Sequence, residues 1–423
     1  MVDIKYIQQH ADELKKAIAD KQMDVSLVDQ VLVIDEERRA LIAQVEAIRK
    51  AANEHIATIK GRKPTAEEIV TGRTFKEELS GLEPKLKEVE EQFKTVMLQV
   101  PNPASEDTPV GKDETENVVV RTVGKKPTFT FQPKSHYELA ENLGMFDSER
   151  AVAIGGRRAY ILKGDLMLLE MALHQYALKL LVNKGFTPMS VPWMVNKEAL
   201  WGTGYFPWGI EDHYTTQDGQ GLIGTAEVSL TAYHQNETLN EKDLPIKMVG
   251  ISPCFRREVG SYGKDTKGFF RVHQFTKVEQ VVLTVADESL TKEWHEKMVG
   301  FSEELLQTLG LSYQVLSMCT GDMGAGQRKK YDIETWFPGQ NAFRETHSAS
   351  YFNDFQSRRL NIRYRASDGT LKYVYTLNNT VAATPRLLAA VIENYQQEDG
   401  SIKVPEVLIP YMDQAVISKS STK

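Results

Sequence analysis

The amino-acid sequence predicts an α+β protein: a long antiparallel α-helical hairpin, packed as a coiled coil, in front of a larger domain on an antiparallel sheet flanked by helices. Three observations carry this. Apolar residues of the first hundred recur at alternating steps of three and four, in two runs separated by a break. Downstream, short runs rich in β-branched and aromatic residues dominate, with helical patterns around them. A chain of 423 residues is also long for one hydrophobic core, so two domains are expected. No Gly-x-Gly-x-x-Gly after a strand and no Gly-x-x-x-x-Gly-Lys-Ser/Thr occurs, which disfavours a dinucleotide fold or a P-loop.

The elements follow in order. Met1 to His10 lacks a basic region leading into an apolar run, so no signal peptide is visible. Val31, Ile34, Leu41, Val45, Ile48, Ala52 and Ile59 mark the first arm of the hairpin, with Arg38 and His55 filling two slots of the repeat. Phe75, Leu79, Leu82, Leu86, Val89, Phe93, Val96 and Val100 mark the second. Gly61-Arg-Lys-Pro64 separates them, and Thr65 with Glu68 is a helix-start signal. Arms of about 34 residues would reach about 50 Å. Pro84 lies within the second arm, where a bend is expected.

Between Arg49 and Lys63 stand five cations (Arg49, Lys50, Lys60, Arg62 and Lys63) against Glu54, in a chain whose net charge is −7. A cationic distal end is what phosphate binding needs, whereas the acidic whole argues against a general nucleic-acid coat. Pro101-Asn-Pro103 and the polar stretch after it read as a boundary, giving a domain at 1–103, a linker at 104–117 and a second domain at 118–423. Gly164 to Lys184 reads as an amphipathic helix, followed by the strand-like Gly185 to Pro192. With 41% hydrophobic residues and no long apolar run, the chain is expected to be a soluble protein that does not enter a membrane. Two cysteines, Cys254 and Cys319, fit a reducing compartment and leave no cysteine cluster for zinc.

The most informative stretch is Cys254 to Glu279. Runs at Met248–Phe255 and Phe269–Val282 flank a loop with Gly260, Gly263, Asp265 and Gly268, the pattern of two antiparallel strands and a long connection. Arg256, Arg257, Lys264, Lys267 and Arg271 sit on or beside it, with Glu258 and Glu279 at its base. Guanidinium forks on strand ends suit bidentate capture of phosphate or carboxylate. A hairpin with a solvated charged tip is the bland alternative.

This stretch resembles motif 2 of the class II aminoacyl-tRNA synthetases, and its loop wording is similar to that of the seryl-tRNA synthetase family. Thr225-Ala-Glu227 resembles that family's serine-binding loop. Tyr331 to Trp336, with Phe343-Arg-Glu345-Thr-His-Ser348, resembles its metal-binding strands. Thr376-Leu-Asn-Asn-Thr380, Pro385-Arg386 and Glu393-Asn-Tyr395 resemble motif 3, and the helix and strand around 164–192 resemble motif 1, which builds the family's dimer interface. The resemblance implies a class II catalytic domain that activates L-serine with ATP and transfers it to tRNA(Ser), with tRNA(Sec) left open as a second acceptor. It implies Arg256, Glu345 and Arg386 as catalytic residues. Thr225, Glu227, Arg256, Glu279 and Thr380 would hold serine. ATP would be held by Arg256, Glu258, Arg271, Phe275, Glu345, Ser348 and Arg386, with Phe275 and Arg386 on the two faces of adenine. Glu345 and Ser348 would bind Mg²⁺, and no zinc is implied. The hairpin, with the five tip cations, would grip the long variable arm of the tRNA. A cytoplasmic homodimer is expected.

Two departures from the family's wording stand out. Asn379-Thr380-Val381 replaces the usual Gly-Ser-Gly, putting bulk at Val381 that is expected beside the pocket, and Thr346-His347 replaces small or apolar residues ahead of Ser348. Other readings also stand: a paralogue that loads an amino acid onto a carrier protein, or an inactive RNA-binding homologue. His273 is expected mid-strand in a structural role. His213, His234 and His295 lack metal-ligand spacing, and Asp322 and Asp332 read as ion-pair or turn residues. Lys419 to Lys423 reads as a solvated tail.

Overall fold

A computed structural model describes residues 1–259 and 267–419. Gly260, Gly263, Lys264 and Asp265 of the charged loop, and the tail beyond Lys419, lie outside the described residues. The chain divides into two compact units, Met1–Pro101 and Asn102–Lys423.

In the first unit, helices Ile4–Gln9 and Ala11–Asp20 precede the two arms, α1 (Ser26–Ile59) and α2 (Ala66–Met97). The arms pack along the expected repeat, and every apolar heptad position read from the sequence is buried or half-buried. The start of α2 is held by a reciprocal box, in which the Glu68 amide donates to Thr65 Oγ1 at 3.2 Å and the Thr65 amide to Glu68 Oε2 at 2.8 Å. α2 runs unbroken through Pro84. Val28, Val31, Met97 and Val100 join Ile7, Leu14 and Ile18 in a small core at the base.

The second unit is organised by an eight-stranded sheet. In chain order its strands are β1 (Val118–Val123), β2 (Thr187–Met189), β3 (Ile246–Phe255), β4 (Gln274–Thr284), β5 (Tyr313–Ser317), β6 (Lys329–Phe337), β7 (Ala342–Asn353) and β8 (Tyr375–Ala383). They lie in the order β1-β5-β6-β7-β8-β4-β3-β2, and every pair is antiparallel except β2 with β3. The helices that matter below are α3 (Asp165–Asn183), α4 (Glu227–Ala232), α5 (Glu288–Thr308), α6 (Phe355–Leu360) and α7 (Arg386–Asn394). Leu169, Leu173 and Leu181 of α3, Val299 and Leu306 of α5 and Leu388 and Ile392 of α7 close one core with Val278, Val282, Ile333 and Leu377 of the sheet. Burial of this apolar surface is the main force holding the helices on it.

Two expectations need correction. The segment 104–117 is not a free linker. The Ser105 amide donates to the Arg328 carbonyl at 2.7 Å, Asp107 pairs with Lys329 at 2.5 Å, and Asn117 Oδ1 accepts from the Cys319 amide at 2.9 Å. Its buried residues Ser105, Thr108 and Gly111 are tied to the second unit by hydrogen bonds, while Glu106 and 112–116 remain exposed. The second run of the charged hairpin becomes a strand only at Gln274. Phe269, Phe270 and Val272 instead turn into the core, where the His136 ring meets Phe269 edge-on at 4.8 Å. His273 therefore precedes the strand; its Nδ1 lies 2.9 Å from the Arg256 carbonyl.

Candidate active site

A cavity of about 490 Å³ opens over β3, β4, β6, β7 and β8. Glu227, Arg256, Glu258, Arg271, Phe275, Glu279, Glu345, Ser348, Thr380 and Arg386 line it. Thr225 does not. It is buried behind the wall, where its hydroxyl accepts from the Glu227 amide at 3.2 Å and shapes the turn into α4.

One end of the cavity is built from guanidinium groups over aromatic rings. Arg256 leaves the end of β3, its amide donating to the His273 carbonyl at 2.9 Å. Its Nε and Nη2 donate to the Gly224 carbonyl at 3.3 and 3.2 Å, and its Cζ lies 5.3 Å from the Phe275 ring centre. Arg271 Nη1 donates to Glu258 Oε2 at 2.6 Å, and Arg158 approaches the same carboxylate at 4.0 Å. Arg386, the first residue of α7, donates through Nη1 to Glu345 Oε2 at 3.0 Å and stacks on Phe270 at 5.0 Å. Nearly half of the Glu345 side chain is exposed into the cavity; desolvation there pushes its carboxyl up, but the charges of Arg386 and Lys330 outweigh it and hold it at about 2. Beside it, burial pushes Asp332 up to about 6 although Lys330 lies 2.9 Å away.

The other end is almost dry. Glu279 is 2% exposed, and its Oε2 accepts from the Thr380 hydroxyl at 3.0 Å and pairs with Lys277 at 2.7 Å. Glu227 takes the Tyr205 hydroxyl on Oε2 at 2.7 Å and the Gln356 amide on Oε1 at 2.8 Å. Gln356 is fixed in turn by the Thr376 hydroxyl at 2.5 Å. Burial raises the Glu227 pKa; the Tyr205 bond offsets part of that, and the nearby Glu279 charge adds to it.

Sequence reasoning missed Lys277, Tyr205, Phe270 and Lys330 on this wall, and Gln356 that holds Glu227. Lys277 was within reach, since it alternates with Phe275 and Glu279 along one strand and so shares their face. Tyr205 and Gln356 had no local signal. Val381, expected beside the pocket, packs wholly in the main core instead.

As for a metal, Glu345 and Ser348 offer an ionised carboxylate and a hydroxyl, hard oxygen donors that suit Mg²⁺. Among the described residues no group of three or more His, Cys, Asp or Glu side chains is placed to cage an ion. Two protein oxygens are in keeping with Mg²⁺, which usually retains waters and leans on substrate phosphates.

Residues 1–104 match the family model described as the seryl-tRNA synthetase N-terminal domain, and residues 212–395 match the tRNA synthetase class II core domain (G, H, P, S and T). The serine–tRNA ligase of Deinococcus radiodurans is 43% identical over 415 residues, 97% of both chains. The chain belongs to the seryl-tRNA synthetase family. The serine–tRNA ligase of Brucella melitensis biotype 2 is also 43% identical, over 97% of this chain and 98% of its own. Among solved structures, seryl-tRNA synthetase from Pyrococcus horikoshii complexed with ATP superposes over the whole of both chains with a TM-score of 0.92 and 39% identity. The cytoplasmic serine–tRNA ligase of Naegleria fowleri in complex with AMP covers 100% of this chain and 99% of its own, with a TM-score of 0.88 and 33% identity. The expected α+β architecture, with its helical hairpin and class II core, is that of the family.

Proposed function

We propose that this protein activates L-serine with ATP and transfers it to tRNA(Ser). The observation that carries the reading is a cavity with the guanidinium groups of Arg256, Arg271 and Arg386 at one end and the buried carboxylates of Glu227 and Glu279 at the other, in a chain that matches a serine–tRNA ligase over 97% of its length. In the first step a serine carboxylate oxygen bonds to the α-phosphorus of ATP, the bond to the bridging oxygen breaks, and pyrophosphate leaves. In the second, the terminal ribose hydroxyl of the tRNA attacks the seryl carbonyl carbon and AMP departs.

The protein's part is positioning and charge. Arg256 is the group we assign to the α-phosphate and the attacking carboxylate, where negative charge gathers. Phe275 and Arg386 are assigned to the faces of adenine, Glu258 to its amino group and Arg271 to the outer phosphates. Glu227 and Glu279 would receive the serine ammonium. Glu279 with Thr380 would also read the hydroxyl, which a buried carboxylate misses when alanine enters. Mg²⁺, when bound through Glu345 and Ser348, would neutralise phosphate charge.

The hairpin is assigned to the tRNA's long variable arm. All five tip cations are exposed; Arg62 pairs with Glu68 at 2.5 Å and Arg49 with Glu83 at 2.8 Å. A homodimer is supported by Met167, Leu168, Met171 and Val182 of α3, each more than 40% exposed. No helix among the described residues is long and apolar enough to cross a membrane, and a cytoplasmic location fits two buried free cysteines.

The deciding experiment is amino-acid-dependent ATP–pyrophosphate exchange across all twenty amino acids, followed by tRNA charging. Exchange with serine alone supports the reading, and exchange with another amino acid overturns it. Removing residues 30–97 should spare exchange and lower tRNA charging at least about 100-fold; undiminished charging would refute the hairpin's role.

A further inference from the structure

Two strands that carry site residues are each interrupted at the cavity. The register of β7 on β6 shifts between Glu345 and His347, leaving Thr346 as the extra residue. That of β8 on β4 shifts between Thr380 and Ala382, leaving Val381 as the extra residue. Such bulges re-aim side chains beside active sites. Between β7 and β8 themselves, pairing runs up to Ala349 opposite Asn379 and stops there. Two residues further along the same register, His347 faces Val381.

At that place the imidazole takes over from the ladder. His347 is 1% exposed, and its Nε2 lies 2.9 Å from the Val381 carbonyl. A carbonyl only accepts, so Nε2 carries the proton. In a neutral ring Nδ1 then accepts, and the Thr346 hydroxyl, 2.8 Å away, donates to it. The Thr335 hydroxyl, 2.7 Å from Thr346 Oγ1, anchors the chain to β6. Both ring nitrogens are satisfied, and the ring joins one bulge to the other.

We infer that His347 is a positioning residue, a side-chain strut that sets the spacing between Glu345 and Ser348 on β7 and Thr380 on β8. Through that spacing it aligns nucleotide with serine for the adenylation step. The role rests on the reaction proposed above. It differs from that of the residues already assigned, because His347, 1% exposed in the cavity wall with both ring nitrogens engaged by the protein, is assigned no substrate contact and acts through the backbone it holds. A misplacement of about 1 Å at a reacting centre can lower a rate about 100-fold.

The test uses the full-length protein and three variants in serine-dependent ATP–pyrophosphate exchange. His347→Leu keeps bulk and loses the donor, so kcat should fall about 100-fold while KM for ATP and for serine each move less than about threefold. His347→Gln can still present an amide N–H to Val381, and should recover kcat to within about tenfold of the unaltered protein. Thr346→Val removes only the hydroxyl behind the ring and should cost about fivefold in kcat; this milder variant keeps the test open where His347→Leu does not fold. Thermal unfolding is followed for each. A folded His347→Leu with unchanged kcat and a lowered melting temperature would overturn the role and leave His347 a packing residue. Equal impairment of the Leu and Gln variants would overturn the hydrogen bond to Val381 as the cause. Absence of serine-dependent exchange from the unaltered protein would overturn the reaction itself, and the role with it.

Discussion

The two ends of the cavity solve the problem of holding charge in opposite ways. At the end proposed for the nucleotide, Arg271, Arg386 and their partners Glu258 and Glu345 are paired with one another across loops and the start of α7. These groups must change partners when phosphate arrives. At the serine end, Glu227 and Glu279 are each within 5% exposure and are held by Tyr205, Gln356, Thr380 and Lys277. Only Glu279 carries an ion pair there, so an entering ammonium would share that carboxylate with Lys277, while Glu227 is held by neutral hydrogen bonds that need not break. The difference teaches that one cavity can be adaptable toward a large polyanion and rigid toward a small zwitterion.

The largest effect should come from the nucleotide end. Arg256→Ala should lower adenylate formation at least about 1000-fold without altering the fold, measured as pyrophosphate exchange beside a far-ultraviolet spectrum. Near-normal exchange would break the assignment. Next comes the pair at the dry end. Lys277→Met leaves Glu279 as a buried charge without its partner; it should lower folding stability by about 3 kcal/mol, read by denaturant unfolding, and change kcat/KM for serine while KM for ATP holds. An equal loss in both substrates would mean that the two ends are not separable.

Smaller effects sharpen the contrast. Tyr205→Phe removes one hydrogen bond from Glu227 and should raise the serine KM about tenfold, with kcat nearly unchanged. The pH profile should differ between the ends as well. Because burial raises the Glu227 pKa, this carboxylate takes up its proton at a higher pH than a solvated one. Ammonium binding would therefore weaken as pH falls, and the serine KM should begin to climb above the ordinary carboxylate range. Glu345, held at about 2, stays ionised through that window. A serine KM that stays flat across it would place the ammonium elsewhere.

Much of this was legible in the residues. The hairpin was, because a heptad pattern and a capping box are local signals that packing did not override. The resemblance to the family's motifs also picked out residues far apart in the chain that the structure brings to one cavity, Arg256, Glu279, Glu345 and Arg386 among them. What escaped was whatever depends on distant partners. Gln356 reaches Glu227 across 129 positions, and the carbonyl that Arg256 holds belongs to Gly224. The polar run at 104–117 looked solvated because composition does not say whether a hydrogen bond goes to water or to a backbone carbonyl. Phe269 and Phe270 looked like strand residues because a run of aromatics suits either a strand or a plug in the core. The departure at Val381 was visible, but its direction was not, since a bulge resets which face a residue takes.

The clasp between Arg386 and Glu345 has one more consequence. Each is the other's counter-ion, so a ligand that claims one strands its mate. A triphosphate drawn to Arg386 would leave Glu345 with only the more distant charges of Lys330 and Arg256, and a cation drawn to Glu345 would release Arg386. Whichever of the two arrives first lowers the cost of admitting the second, and reciprocity requires the benefit to be the same in either order. On the proposed reading the pair would act as a lock with two keys, each easing the entry of the other.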